Sequence, residues 1–190
     1  MNFNRPLILA SKSPRRQQLL SEAGFEFEVR TKEVAETYPD DLYYEDVPSY
    51  LASKKASALL PEIEDEIVIA SDTIVVSDGD ILGKPTNHQD AAAMLNTLSG
   101  KEHQVITGIC LLSKHKEIVF SDTTSVVFKS LTQQEIDHYI VNFKPFDKAG
   151  SYGIQEWIGM IGITSITGSY YTVMGLPVHR LYEELARFNN

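Results

Sequence analysis

Cysteine is all but missing from this chain. Cys110 is the only one in 190 residues, so no intrachain disulfide can form. With one cysteine and five scattered histidines, no Cys/His zinc set can be assembled either. Cys110 stands in the apolar run Ile109-Cys110-Leu111-Leu112 and reads as a core residue. Long apolar runs are also absent, and none approaches the roughly 20 residues needed to span a bilayer. The first residues do not read as a signal peptide, so the expectation is a soluble, cytoplasmic protein. Positive charge is scarce: Lys and Arg number 17 against 26 Asp and Glu, for a formal net charge of -9. That argues against a broad nucleic-acid-binding surface. No internal repeat, low-complexity segment or linker interrupts the sequence, and it is read as one domain over residues 1–190.

What is present begins with an apolar fraction of 43%, ordinary for a chain with a real core. The most particular stretch lies near the start: Leu7-Ile8-Leu9-Ala10-Ser11-Lys12-Ser13-Pro14-Arg15-Arg16. The apolar run reads as a buried strand, and the residues from Arg16 onward as a helix. Ser13 is a natural N-cap, its hydroxyl accepting an N–H of the first turn. Pro14 suits the first helical position, where a missing N–H costs nothing. Arg15 and Arg16 then stand against a helix dipole that is already positive, an arrangement unfavourable by up to about 1 kcal/mol. A helix start with unsatisfied N–H groups and two guanidinium forks suits a phosphate-bearing ligand. Two solvated arginines are the plain alternative.

The helix carries Leu19, Leu20 and Ala23 inward and stops at Gly24. Phe25, Phe27 and Val29 alternate with charged residues, which predicts a half-buried strand. Residues 33–46 are acidic, interrupted by Pro39 and three tyrosines, and read as a surface loop. Most of its acids are solvated on this reading, with one a candidate metal ligand. A second helix is predicted from Asp46 to Leu60, ending at Pro61. Lys55 lies on its apolar face, and either snorkels to solvent or points its ammonium into a cleft. Ser71-Asp72-Thr73 interrupts a strand of isoleucine and valine. Burying that triplet is costly without partners, so Asp72 is either held structurally or poised for chemistry.

Ser77-Asp78-Gly79-Asp80 reads as a hairpin-like turn leading to Gly83-Lys84-Pro85, whose backbone is fixed around a lysine suited to an anion. A helix is expected over 87–98, and a long hairpin over 103–112 and 118–128. Thr132-Gln133-Gln134-Glu135 is a capping box for a helix to about Phe143. Residues 144–155 form a glycine-rich loop of unusual composition. Short β-like runs broken by glycines are predicted over 158–173, then a last helix carrying Val178, Leu181, Leu185 and Phe188. The order predicts an α/β fold with a mixed sheet flanked by helices, not an alternating parallel one.

Many of these pieces, taken in order, resemble the Maf family of nucleoside triphosphate pyrophosphatases over nearly the whole chain, from 7 to about 181. They are Ala10-Ser11-Lys12-Ser13-Pro14-Arg15-Arg16, Leu51-Ala52-Ser53-Lys54-Lys55-Ala56, Ser71-Asp72-Thr73, Gly83-Lys84-Pro85, Thr107-Gly108, Asp147-Lys148-Ala149-Gly150-Ser151-Tyr152-Gly153-Ile154-Gln155 and Gly168-Ser169-Tyr170-Tyr171-Thr172-Val173-Met174-Gly175-Leu176-Pro177. The resemblance implies an elongated α/β fold of the Maf/ITPase-like kind, with two lobes and a central cleft. It also implies hydrolysis of a nucleoside triphosphate to the monophosphate and pyrophosphate with a divalent cation, Mg or Mn. Arg15, Thr73 and Gln155 resemble the set in the branch acting on dTTP and UTP, and so look like the residues that select the base. Two positions depart from the family pattern. Ala35 replaces the first of a frequent acidic pair, leaving Glu36, and Ser71 stands where alanine is common.

Chemistry and resemblance agree on roles. Ser11, Ser13, Arg16, Lys55 and Lys84 are the expected phosphate contacts. Asp72 is the expected general base, taking a proton from the water that attacks the α-phosphorus, or else it is mainly a metal ligand. Glu36 is the expected second carboxylate at the metal. A non-catalytic nucleotide-sensing regulator of septum formation and an enzyme for non-canonical purine triphosphates stay open as alternatives. Modified pyrimidine nucleotides are a further candidate substrate. No nucleic-acid or membrane partner is expected, and a homodimer is expected only at the level of the family.

Overall fold

A computed structural model describes residues 5–188 of the protein. In chain order the elements are β1 (Leu7–Leu9), α1 (Pro14–Glu22), β2 (Glu28–Val29), α2 (Val47–Ser57), β3 (Ile67–Ser77), β4 (Asp80–Leu82), α3 (His88–Leu98), β5 (Glu102–Leu112), β6 (Glu117–Phe128), α4 (Gln133–Phe143), α5 (Trp157–Gly162), β7 (Ile163–Thr167), α6 (Tyr170–Met174) and α7 (Val178–Phe188). The strands form one sheet in the order β2-β1-β3-β5-β6-β7, with β4 paired to β3. It is mixed, as predicted: β1 pairs parallel with β2 and β3, while β3–β4 and β6–β7 are antiparallel. No described helix is long and apolar enough to cross a membrane.

The chain divides into two compact units. One holds the described residues up to Asp72, Thr107–Asp122, and those from Gly175 on; the other holds Thr73–Ile106 and Thr123–Met174. β3, β5 and β6 each begin in one unit and end in the other.

In the first unit, Ile8, Ala10, Val68, Ala70, Cys110 and Leu112 alternate along their strands and so share one sheet face. They pack with Ala52 and Ala56 of α2 and with Leu59 and Ile63 beyond it. α2 stops at Ser57 rather than Leu60, and Pro61 sits in a separate 3-10 turn, Leu60–Glu62. Leu59 N–H already bonds three residues back to Ala56 O. A proline ahead disfavours helical backbone in the residue before it and cannot donate to the ladder, so the helix tightens and ends early. β2 is also shorter than the alternation predicts. Only Glu28 and Val29 pair with β1, and both are exposed, while Phe25 is buried ahead of the strand. β1 is only three residues long and has little ladder to offer. Cys110 lies fully buried with its thiol 3.4 Å from Glu117 Oε1.

In the second unit, Asn87 caps α3 by accepting from Asp90 N–H, and the Thr132/Glu135 box caps α4 as predicted. Asp78 and Gly79 take positive φ of 54° and 89°, the conformation of a tight hairpin turn. The β-like reading of 158–173 is corrected by the structure: α5 and α6 flank the single short strand β7. Gly159 carries the reason. A Cβ there would lie 1.9 Å from the Ile154 carbonyl oxygen, so the glycine serves a close backbone approach under a helix rather than a break between strands. His103, Phe128 and Tyr152 form a buried ring cluster with centroids 5.0 to 5.4 Å apart.

Candidate active site

The chain leaves the sheet just after β1. Ala10 N–H still bonds to Ile69 O at 2.8 Å, and Ser11 begins the turn into α1. Ser13 occupies the N-cap position with extended backbone and Pro14 opens the helix, as expected, but the Ser13 hydroxyl makes no cap bond. Ser11 fixes the turn instead. Its hydroxyl oxygen accepts from Ser13 N–H at 3.2 Å and from Arg16 Nη1 at 3.3 Å.

Arg16 is braced from three directions. Its Nε donates to Gly175 O at 2.8 Å, and its Nη1 to Ser71 O at 2.8 Å as well as to Ser11. Its guanidinium is thus held between the end of β1, the middle of β3 and the segment leading to α7. Desolvation lowers its affinity for a proton below the ordinary arginine value, and Asp72 is the largest opposing influence. Ser71 adds a second tie, its buried hydroxyl donating to the same Gly175 oxygen at 3.0 Å. Sequence reasoning missed this role for Ser71; the only signal was a serine where alanine is common.

Lys55 settles its two readings by pointing inward. Its ammonium lies 2.5 Å from Asp72 Oδ1 and 2.7 Å from Glu36 Oε1. Asp72 is well shielded on β3, and Glu36, in the loop after β2, is about half exposed. Two carboxylates thus face one ammonium, and both Asp72 and Glu36 also act electrostatically on the Arg16 guanidinium. Among the described residues no group of three or more His, Cys, Asp or Glu is arranged to hold a metal ion. Glu36 and Asp72 are the two carboxylates that would hold a divalent cation here.

Ser11, Ser13, Arg15, Arg16, Glu36, Lys55 and Asp72 therefore all belong to the first unit, and bonds or charge link Ser11, Arg16, Lys55, Asp72 and Glu36 directly. Thr73, Lys84 and Gln155 belong to the second. Asp72 and Thr73, neighbours in the sequence, are thus assigned to different units. Lys84 is exposed beyond β4, and the carbonyl before it, Gly83 O, accepts from Gly150 N–H at 3.0 Å. Gln155 is partly buried, and among the described residues its Oε1 is enclosed without a hydrogen-bond partner.

A family model described as Maf-like protein matches residues 6–188. The chain belongs to the Maf-like family. A relative from Phocaeicola vulgatus is 55% identical over 95% of both chains, and is named dTTP/UTP pyrophosphatase. Relatives of the same name from Parabacteroides distasonis and Porphyromonas gingivalis are each 49% identical over 96% of this chain and 95% and 94% of theirs. The solved Staphylococcus aureus Ham1 protein matches with a TM-score of 0.55 over 95% of this chain and all of that one. At 16% identity the likeness is one of fold, and it agrees with a Maf/ITPase-like α/β architecture. Within the Maf-like frame, the clamp around Arg16 and the Lys55 bridge are built from five separated segments of the sequence, which is why no local pattern announces them.

Proposed function

We propose that this Maf-like protein is a cytoplasmic nucleoside triphosphate pyrophosphatase that hydrolyses dTTP and UTP to the monophosphate and pyrophosphate. The names of its relatives supply the substrates. The observation that carries the chemistry is the Asp72 carboxylate, set in an otherwise apolar strand and held by the Lys55 ammonium at 2.5 Å.

Hydrolysis forms one P–O bond from water to the α-phosphorus and breaks one to the leaving pyrophosphate. Lys55 engages Asp72 through Oδ1, which leaves Oδ2 to take the water proton or to meet the cation. Arg16, already braced, supplies positive charge that needs no reorganisation as the phosphates develop charge. Lys55, Lys84, Ser11 and Ser13 complete the phosphate contacts. A divalent cation, Mg²⁺ or Mn²⁺, would be held by Glu36 and Asp72, and when bound it offsets phosphate charge.

Base choice falls to Arg15, Thr73 and Gln155. Uracil and thymine present an N3–H donor beside carbonyl acceptors, the complement of a glutamine amide with its one acceptor and two donors. Among the described residues the Gln155 Oε1 has no hydrogen-bond partner, which makes it the acceptor assigned to that N3–H. Cytosine places an acceptor at N3, so a glutamine oxygen fixed opposite that position would face a second acceptor in place of a donor.

The test is a panel of dTTP, UTP, CTP, ATP and GTP with Mg²⁺ or Mn²⁺, reading phosphate with and without added inorganic pyrophosphatase. Phosphate from dTTP and UTP only when pyrophosphatase is present is the expected result. Preference for purines, or nucleotide binding without turnover, would overturn the proposal.

A further inference from the structure

The loop that carries Gln155 is tied down by a network that no role so far has used. Lys148 is buried, 8% exposed, although it is a lysine in a loop. Its Nζ lies 2.7 Å from Asp147 Oδ1 and 3.1 Å from Glu156 Oε1. The other Glu156 oxygen, Oε2, accepts from the hydroxyl of Tyr139, a fully buried residue of α4. That hydroxyl in turn accepts from Gly153 N–H at 3.0 Å. Glu156 N–H closes the circuit by donating to Gly153 O at 3.0 Å. Burial, with the Glu156 contact next, pushes the Tyr139 hydroxyl well above its ordinary pKa, so it stays protonated as donor.

Gln155 stands inside this circuit, between the two residues that Tyr139 grips. Gly153 shows how closely it is drawn. A Cβ at that position would lie 2.9 Å from Glu156 Cδ and 3.1 Å from Gln155 Nε2. Glu156 has no room to yield, because Lys148 and Tyr139 hold its two oxygens. Burying a lysine, a glutamate and a phenol together is costly unless every partner is met, and here the partners converge on the backbone either side of one glutamine.

We infer that Tyr139, Glu156 and Lys148 are positioning residues for base selection: they fix the Gly153–Glu156 backbone so that the Gln155 amide is presented in one orientation. The inference rests on the proposal that Gln155 reads the base. A bidentate amide contact is sensitive to small displacements, so loosening the circuit lowers discrimination without removing the group that discriminates.

The experiment measures kcat/KM for UTP and CTP, and thermal unfolding, on the full-length protein and four variants. Gln155→Ala is expected to collapse the UTP preference. Tyr139→Phe, which removes only the hydroxyl, is expected to lower the UTP:CTP ratio about tenfold, the equivalent of one lost hydrogen bond, with the loss falling on KM for UTP. Glu156→Ala is expected to do the same, and Glu156→Gln, which can still accept from Tyr139, to restore part of the ratio. If Gln155→Ala leaves the preference intact, the base-reading proposal fails and this inference fails with it. If Gln155→Ala collapses it while both Tyr139→Phe and Glu156→Ala keep the ratio within about twofold, the positioning role alone is overturned. Should Tyr139→Phe not fold, the Glu156 pair decides the matter by the same ratio.

Discussion

Ser71 and Arg16 share one acceptor, the carbonyl oxygen of Gly175. Arg16 Nε reaches it at 2.8 Å and the Ser71 hydroxyl at 3.0 Å. The serine donates from the middle of β3 and the arginine from the first turn of α1, so both fasten the same point of chain ahead of α7. Ser71→Ala removes one neutral bond and is expected to cost about 1 kcal/mol of unfolding free energy. Arg16→Lys loses the fork and is expected to cost about 1.5–3 kcal/mol, together with a fall in kcat/KM. Denaturant unfolding checks both, and an unchanged Arg16→Lys midpoint would remove the bracing role.

Asp72→Asn keeps the size of the side chain and removes the basic oxygen. Turnover is expected to fall by about 10²–10⁴-fold, with nucleotide still bound. Steady-state kinetics alongside nucleotide titration measure this, and near-normal turnover would take Asp72 out of the mechanism.

Lys55 now neutralises part of the charge that a cation would otherwise attract. In the native protein Mn²⁺ is expected to bind weakly until nucleotide supplies phosphate oxygens. Lys55→Met leaves Asp72 and Glu36 facing each other without the ammonium that lies 2.5 and 2.7 Å from them. Nucleotide-free Mn²⁺ affinity should therefore rise in that variant, as read by titration calorimetry or paramagnetic resonance. A fall in that affinity would argue that Glu36 and Asp72 do not form the cation site.

His103 is 2% exposed, with Nε2 2.8 Å from the Tyr152 hydroxyl, and desolvation by burial lowers its pKa from 6.5 to about 4. Between those two values the unfolded chain binds a proton that the folded chain refuses. Stability is therefore full above 6.5 and is lost as pH falls through the window, by on the order of 3 kcal/mol when complete. His103→Phe removes the titrating group. Unfolding free energies at a series of pH values should show a shallower acid limb in the variant, and parallel limbs would contradict the assignment.

Glycines separate by what surrounds them. At Gly108 a Cβ would lie 2.3 Å from Pro48 C and Ser49 N, whereas at Gly83 it would meet nothing within 4 Å. Gly108→Ala is expected to destabilise by about 3 kcal/mol or more, since backbone rather than a flexible side chain must give way. Gly83→Ala is expected to change stability by less than about 1 kcal/mol. Similar melting temperatures for the two would show that the sheet yields at Gly108.

Regular periodicity and capping were legible: α3, α4, the β3–β4 turn and the β5–β6 pair lie close to where the apolar spacing, Asn87, Thr132 and Asp78-Gly79 put them. The region 158–173 was not, because isoleucines, threonines and glycines suggest strands, while the close approach of Gly159 to Ile154 is a tertiary fact. The same holds for the site. Asp72 and Lys55 were readable as polar residues in apolar surroundings, but their pairing joins residues 17 positions apart, and the Arg16 clamp reaches across 159. Such contacts leave no spacing to find.

Cys110 draws a practical consequence from its burial. Its pKa is raised above the ordinary thiol range by desolvation first, then by the Glu117 carboxylate, and thiolate rather than thiol is the reactive form. In the folded protein this sulfur is therefore close to inert, while in the open chain it reacts like any other. Being the sole thiol of the sequence, it is a native clock for opening of the sheet: the rate at which a thiol reagent labels the untouched protein reports how often the core around β5 comes apart, with no label to be engineered.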